Sequence, residues 1–291
     1  MLRSIMEEEG GTSKPSEIPS RERNEGVRVI AVTSGKGGVG KTNIAANFAY
    51  ITALKGKRTL LVDADAGLAN IDVILGITPE FNLYHVLRGE KKLSEVIVTG
   101  PGGIRILPAS SGIAEMTDLS RGSKLTLLEE LQDIDEPLDF IFIDTAAGIA
   151  GNVMYFNMVA KEIVVVVTPE PTSLTDAYAL IKLLYKNYGA KRFKLVTNMV
   201  KNAAESKAVF SRLSRATEHF LNLSIDYLGL IPFDPRVQET VKRQCLLAQG
   251  YPKSKAVQSL KSIVDKLMKE EPDTYDRGTI KFFGRSCIER L

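Results

Sequence analysis

The chain has 291 residues, 44% of them hydrophobic, which is enough for one substantial core, as in single α/β domains of this size. A net charge of +3 implies no strong polyanionic partner, so direct DNA binding is not expected. Two distant cysteines, Cys245 and Cys287, have no metal-ligand spacing and suit a reducing cytoplasm. No apolar run approaches the roughly 20 residues of a membrane span.

Residues 1–26 are polar, with Glu7-Glu8-Glu9, Gly10-Gly11, Pro15 and Pro19, and read as a disordered leader without a secretion signal. Strand-like runs follow at Val27–Val32, Thr59–Val62, Ile104–Leu107, Phe140–Ile143, Ile163–Thr168, Phe193–Val196 and Tyr227–Ile231. Helix-compatible stretches alternate with them at Asn43–Leu54, Lys124–Leu131, Leu174–Tyr188, Ala203–Leu221 and Lys255–Met268. Continuous apolar strands suit a sheet covered on both faces. The alternation predicts one doubly wound α/β domain over 27–270, with a mostly parallel sheet and helices on both sides. Residues 271–291 form a separate C-terminal tail after Pro272-Asp273.

Gly35-Lys36-Gly37-Gly38-Val39-Gly40-Lys41-Thr42 lies between the first strand and the first helix, the context a P-loop requires. Its glycines let successive backbone N–H groups converge on phosphate oxygens, and the helix N-terminus adds favourable partial charge. Lys41 is placed to reach the β- and γ-phosphates, and the Thr42 hydroxyl to ligate Mg²⁺. The extra lysine, Lys36, is either a solvated charge or a group that crosses to the nucleotide of a second copy.

A P-loop also needs acids for the metal and the attacking water, at the carboxyl ends of neighbouring strands. Leu60-Leu61-Val62 ends in Asp63-Ala64-Asp65, and Phe140–Ile143 ends in Asp144. An acid closing a buried strand is poorly explained as packing, because burying an unpaired charge is costly; a turn cap is the plainer alternative. Asn198, after the strand Phe193–Val196, is either a reader of a base edge or a turn residue.

Lys36 to Thr42 resembles the deviant Walker motif of the MinD/ParA family, SIMIBI-type P-loop NTPases. The resemblance implies that Lys36 contacts the nucleotide of the opposite subunit, so that ATP drives homodimerisation. It implies ATP and Mg²⁺ as cofactors, with Lys36, Lys41 and Asp65 catalytic, Asp65 orienting the attacking water, and Thr42, Asp63 and Asp144 on the metal side. Gly35 to Thr42 with Asn43 would hold the phosphates, Asn198, Pro232 and Asp234 would lie at the base, and Glu170 falls in a segment at the dimer face.

The resemblance runs over about 27–291. Asp65 to Asp72, Gly100 to Ile104, Pro108 to Gly112 and Glu170 to Tyr178 look like the flagellar-number regulators of the FlhG/FleN branch. That branch implies control of flagellar number or placement. Its implied partners are a flagellar transcription activator (FleQ-like), an SRP-type flagellar GTPase (FlhF-like) and basal-body components. The leader lacks the Asp-Gln-Ala motif of members that stimulate the GTPase, which favours the activator. A Cys-x-x-Cys pair, expected of an iron–sulfur carrier relative, is absent. Division-site MinD-type and DNA-partition ParA-type ATPases are the alternatives within the superfamily.

In the tail, Ile280, Phe283, Cys287, Ile288 and Leu291 share one helical face, with Lys281, Arg285 and Arg290 among the other positions. Such a helix suits the plane of an anionic membrane, giving a cytoplasmic protein reversibly attached to the inner face of the cell membrane. Docking on the domain's own surface is the alternative.

Overall fold

The computed structural model describes residues 27–65, 70–110, 119–134, 137–160 and 162–270. The leader, the tail, residues 66–69 of the Asp65–Asp72 motif and Ser111-Gly112 lie outside the described residues.

The chain runs β1 (Arg28–Ser34), α1 (Lys41–Leu54), β2 (Thr59–Ala64), α2 (Ile71–Leu75), α3 (Leu83–Leu87) and α4 (Leu93–Val96). It continues through β3 (Val98–Thr99), β4 (Arg105–Leu107), α5 (Arg121–Gln132), β5 (Phe140–Ala147), α6 (Gly151–Val159) and β6 (Glu162–Val167). Then come α7 (Pro171–Tyr188), β7 (Phe193–Val200), α8 (Ala203–Leu221), β8 (Asp226–Pro232), α9 (Arg236–Lys242), α10 (Leu247–Gly250) and α11 (Lys255–Lys269). Among the described residues, eight strands lie in the order β3-β4-β2-β5-β1-β6-β7-β8. All pairs are parallel except the edge pair β3–β4.

Alternation along the central strands explains the layering. Ile30 and Val32 of β1 face the cluster formed with α1, α10 and α11, whereas Val29 and Ala31 face the cluster formed with α3, α4, α5 and α6. On β6, Val164 and Val166 join the first layer, while Ile163, Val165 and Val167 pack under α7 and α8. Both faces are covered, as the continuous apolar runs predict.

Connections leave β1 toward β2 and β6 toward β7, in opposite directions along the sheet. The crevice between β1 and β6 is therefore the point at which such sheets take their ligands, and the glycine loop opens there. Several elements extend beyond the runs read from the sequence, β2 to Ala64, β5 to Ala147 and β7 to Val200 among them, and two of the shifts shape the loop. Strand β1 continues to Ser34, and α1 starts at Lys41, inside the glycine loop. Strand β3, with two residues, is too short to leave a periodic signal.

At the opposite end of the central strands, Arg28 donates from Nε and Nη2 to Glu162, both at 2.7 Å, and also to the Leu267 and Glu270 carbonyls. Lys194 Nζ donates to Glu162 at 2.6 Å and pairs with Glu270. This cluster fastens the end of α11 to β1, β6 and β7, away from the glycine loop.

Candidate functional site

Backbone geometry shapes the loop first. Gly38 and Gly40 have φ of 78° and 86°, in the left-handed region that L side chains rarely adopt. Gly40 is the residue before α1, so the turn delivers the free N–H groups of the helix start to the crevice. Gly35 is demanded by a close approach. A Cβ there would lie 2.2 Å from the carbonyl carbon of Asp176 on α7. A Cβ on Gly37 or Gly38 would meet nothing within 4 Å, so that side of the loop stays open.

Below the loop, Lys41 Nζ donates to Asp144 Oδ1 at 2.6 Å, with neither side chain more than 7% exposed. Asp144 Oδ2 is buried and has no hydrogen-bond partner. The β2–β5 register sets Asp63 directly opposite Asp144. Asp63 accepts from the Asp65 N–H at 3.0 Å and from the Asn70 and Ile71 N–H groups at 3.2 Å, so it also fastens the start of α2.

Burial pushes the Asp63 carboxyl up to about 8, aided by the neighbouring Asp144 charge and opposed by the backbone amides and Lys41. Burial raises Asp144 as well, against the pull of Lys41 and the Thr42 hydroxyl. Two buried carboxyls therefore share one ammonium. An orphaned carboxylate oxygen beside a second carboxyl and the Thr42 hydroxyl fits a hard divalent cation with oxygen ligands. The open glycine loop above Lys41 fits phosphate.

Asn198 joins this group from β7, its Nδ2 donating to the Val39 carbonyl at 2.8 Å. Asp234, just past β8, accepts from the Arg236 N–H at 3.1 Å and pairs with the Arg236 side chain. Pro232 ends β8 in register with Val200. Asn43 gives its carbonyl to Asn47 Nδ2 at 2.7 Å, and Asn47 Oδ1 accepts from the Ala248 N–H at 2.9 Å, bracing α1 on α10. Lys36 stands apart from the Lys41 cluster. Its ammonium pairs with Glu170, the residue before α7, and donates to Thr172 Oγ1 at 3.0 Å.

Sequence reading missed a polar plug beneath the loop. Thr145 Oγ1 donates to Thr33 Oγ1 at 2.9 Å, and Asn157 Nδ2 donates to the same oxygen at 3.2 Å. All three residues are fully buried. Thr145, next to Asp144, was within reach of motif reading; Asn157, on α6 and 124 positions from Thr33, carries no local signal.

Fold and site together define a P-loop ATPase that works on a magnesium–nucleotide complex. Residues 27–195 match a family model described as an AAA domain. The chain is 43% identical to the antiactivator FleN of Pseudomonas aeruginosa, over 91% of this chain and 93% of that one. It is 36% identical to the flagellum site-determining protein YlxH of Helicobacter pylori, over 89% of each. The solved structure of the septum site-determining protein MinD with Mg-ADP from Pyrococcus horikoshii aligns with a TM-score of 0.71 at 25% identity, over 84% of this chain and 96% of that one. The chain belongs to the MinD-like deviant Walker ATPases, in the branch that includes FleN and YlxH.

The glycine geometry makes a paired prediction. Gly35→Ala must push α7 off the loop, and is expected to lower the melting temperature by about 5 °C and weaken nucleotide binding more than about tenfold. Gly37→Ala should melt as the wild type does, because its Cβ enters open space. Thermal melts and equilibrium titration of both variants check this.

Proposed function

We propose that this protein is an ATP-dependent dimerisation switch whose hydrolysis resets it, and that the switch controls flagellar number or placement. The position of Lys36 carries the reading. Lys41 already serves the buried site of its own chain, whereas Lys36 lies on the outer side of the loop, held by Glu170 and Thr172. The Lys36–Glu170 pair is substantially exposed, and such pairs are worth about 0–1 kcal/mol. A phosphate group of a second copy can displace it. Ile149, after β5, and Phe233, after β8, are 53% and 60% exposed at this end of the sheet. They offer apolar area for a facing subunit to cover.

Within each subunit, Gly35 to Asn43 cradle the phosphates, Lys41 neutralises them, and Thr42, Asp63 and Asp144 hold the metal. When bound, a magnesium ion held there would supply positive charge to the phosphate oxygens. Asp65, whose N–H is held by Asp63, orients the attacking water, and Lys36 from the facing subunit stabilises the charge that develops. Asn198, Pro232 and Asp234 surround the base, and adenine is the base they serve.

The dimer acts through other proteins. One relative is named an antiactivator and another flagellum site-determining, which supports a flagellar transcription activator (FleQ-like) as a partner, with an SRP-type flagellar GTPase (FlhF-like) and basal-body components as others. The face formed by α7 and α8 suits such a partner. Phe220 is 67% exposed and sets its ring 6.3 Å from that of Tyr178. Lys182, one turn beyond Tyr178, and Arg212 and Arg215 on α8 have no acidic partner among the described residues. An aromatic pair on helices that also carry these basic side chains offers both apolar area and charge to a partner. Helix α7 also packs on Gly35, so this face is braced against the nucleotide loop.

No helix among the described residues is long and apolar enough to cross a membrane. Residues 271–291 are proposed to attach the dimer peripherally to the inner face of the cell membrane, leaving the rest of the chain in the cytoplasm.

Two expectations follow for variants. Lys36→Ala should still bind ATP but stay monomeric, whereas Asp65→Ala should accumulate as an ATP dimer with hydrolysis down about a hundredfold. Light scattering and single-turnover hydrolysis read both; an unchanged dimer fraction in Lys36→Ala refutes the trans role. Separately, Phe220→Glu and Lys182→Glu should each weaken capture of the transcription activator about tenfold or more while leaving partner-free ATP hydrolysis within about twofold. Pull-down alongside a phosphate-release assay separates the two effects.

A further inference from the structure

Met199 departs from what its place in a strand requires. Its φ is 58°, in the left-handed region, although it is neither glycine nor asparagine and lies inside β7. The β7–β8 register breaks there: Asn198 faces Ile231 and Val200 faces Pro232, so Met199 is the extra residue of a bulge. The bulge turns the side chain out of the sheet, leaving it 38% exposed between buried Asn198 and Val200. It lies beside the glycine loop, where a Cβ on Gly40 would be 3.6 Å from the Met199 methyl carbon. Strained backbone of this kind persists where surrounding structure over-determines it, and it concentrates at ligand sites.

Resting on the reading that Asn198, Pro232 and Asp234 surround the base, we propose that Met199 is a further nucleotide-binding residue, its thioether packing on the face of the purine. The neighbouring amide of Asn198 is committed through Nδ2 to the Val39 carbonyl, so it braces the loop as well as leaving its oxygen for the base edge. Edge contacts leave the flat apolar faces of a purine to be covered. A methionine is flexible and polarisable and makes favourable sulfur–aromatic contacts. Phe233, just past β8, is joined to this bulge through its N–H on the Val200 carbonyl at 3.0 Å, which holds the two segments side by side.

The test separates backbone strain from base contact. Met199→Gly suits the left-handed φ, so its melting temperature should stay within about 2 °C of wild type. Its affinity for Mg-ATP and for Mg-ADP should fall about tenfold, while affinity for Mg-tripolyphosphate, which has no base, stays unchanged. Met199→Leu keeps the apolar body and should bind both nucleotides within about threefold of wild type. Wild-type affinity for ATP in Met199→Gly, or an equal loss for tripolyphosphate, overturns the inference. If the wild-type protein itself binds tripolyphosphate as tightly as ATP, the base reading fails first, independently of Met199.

Discussion

Lys41 and Asp144 meet at 2.6 Å in a site from which water is almost excluded, and the rest of the molecule is arranged around that contact. A buried pair of this kind is stable only if the remaining hydrogen-bonding capacity is met. Here it is not: Asp144 Oδ2 has no partner, and Asp63 lies opposite on β2. Two carboxyls beside one ammonium, with an unsatisfied oxygen between strands, suit a divalent cation. The same Asp63 accepts the N–H groups that open α2, which ties that helix to the carboxyl pair.

Lys36 obeys a different physics, although it stands in the same eight-residue loop. It is solvent-accessible, its bond to Glu170 is weak by exposure, and its partner sits at the head of α7. A buried lysine fixes the site of one chain; an exposed one can be exchanged between chains. Helix α7 meets both, because its backbone abuts Gly35 while Tyr178 on the same helix sets its ring beside Phe220 of α8.

Much of this was legible in the sequence because the loop is local. The glycine spacing, Lys41, Thr42 and the acids closing β2 and β5 lie in short segments whose periodicity also announces the strands that hold them. The continuous apolar runs gave the covered sheet for the same reason. What escaped reading was long-range or conformational. Asn157 reaches Thr33 across 124 positions, and Arg28 meets Glu162 across 134. Resemblance places Glu170 at a dimer face, but its pairing with Lys36 spans 134 positions and leaves no local signal. Met199 reads as an ordinary strand residue until its φ is known. Residues 271–291, the membrane reading among them, lie outside the described part of the chain.

The central claim is that Lys36 works on the nucleotide of a facing subunit, and complementation between two inactive variants tests it most directly. Lys36→Ala retains Asp65, and Asp65→Ala retains Lys36. In a mixed dimer, the site on the Lys36→Ala subunit keeps its own Asp65 and receives Lys36 from its partner. Phosphate release should therefore reappear when the two are mixed with ATP and Mg²⁺, peaking near equal proportions. A mixture no faster than the sum of the separate variants at every ratio would contradict a lysine acting in trans and return Lys36 to its own chain.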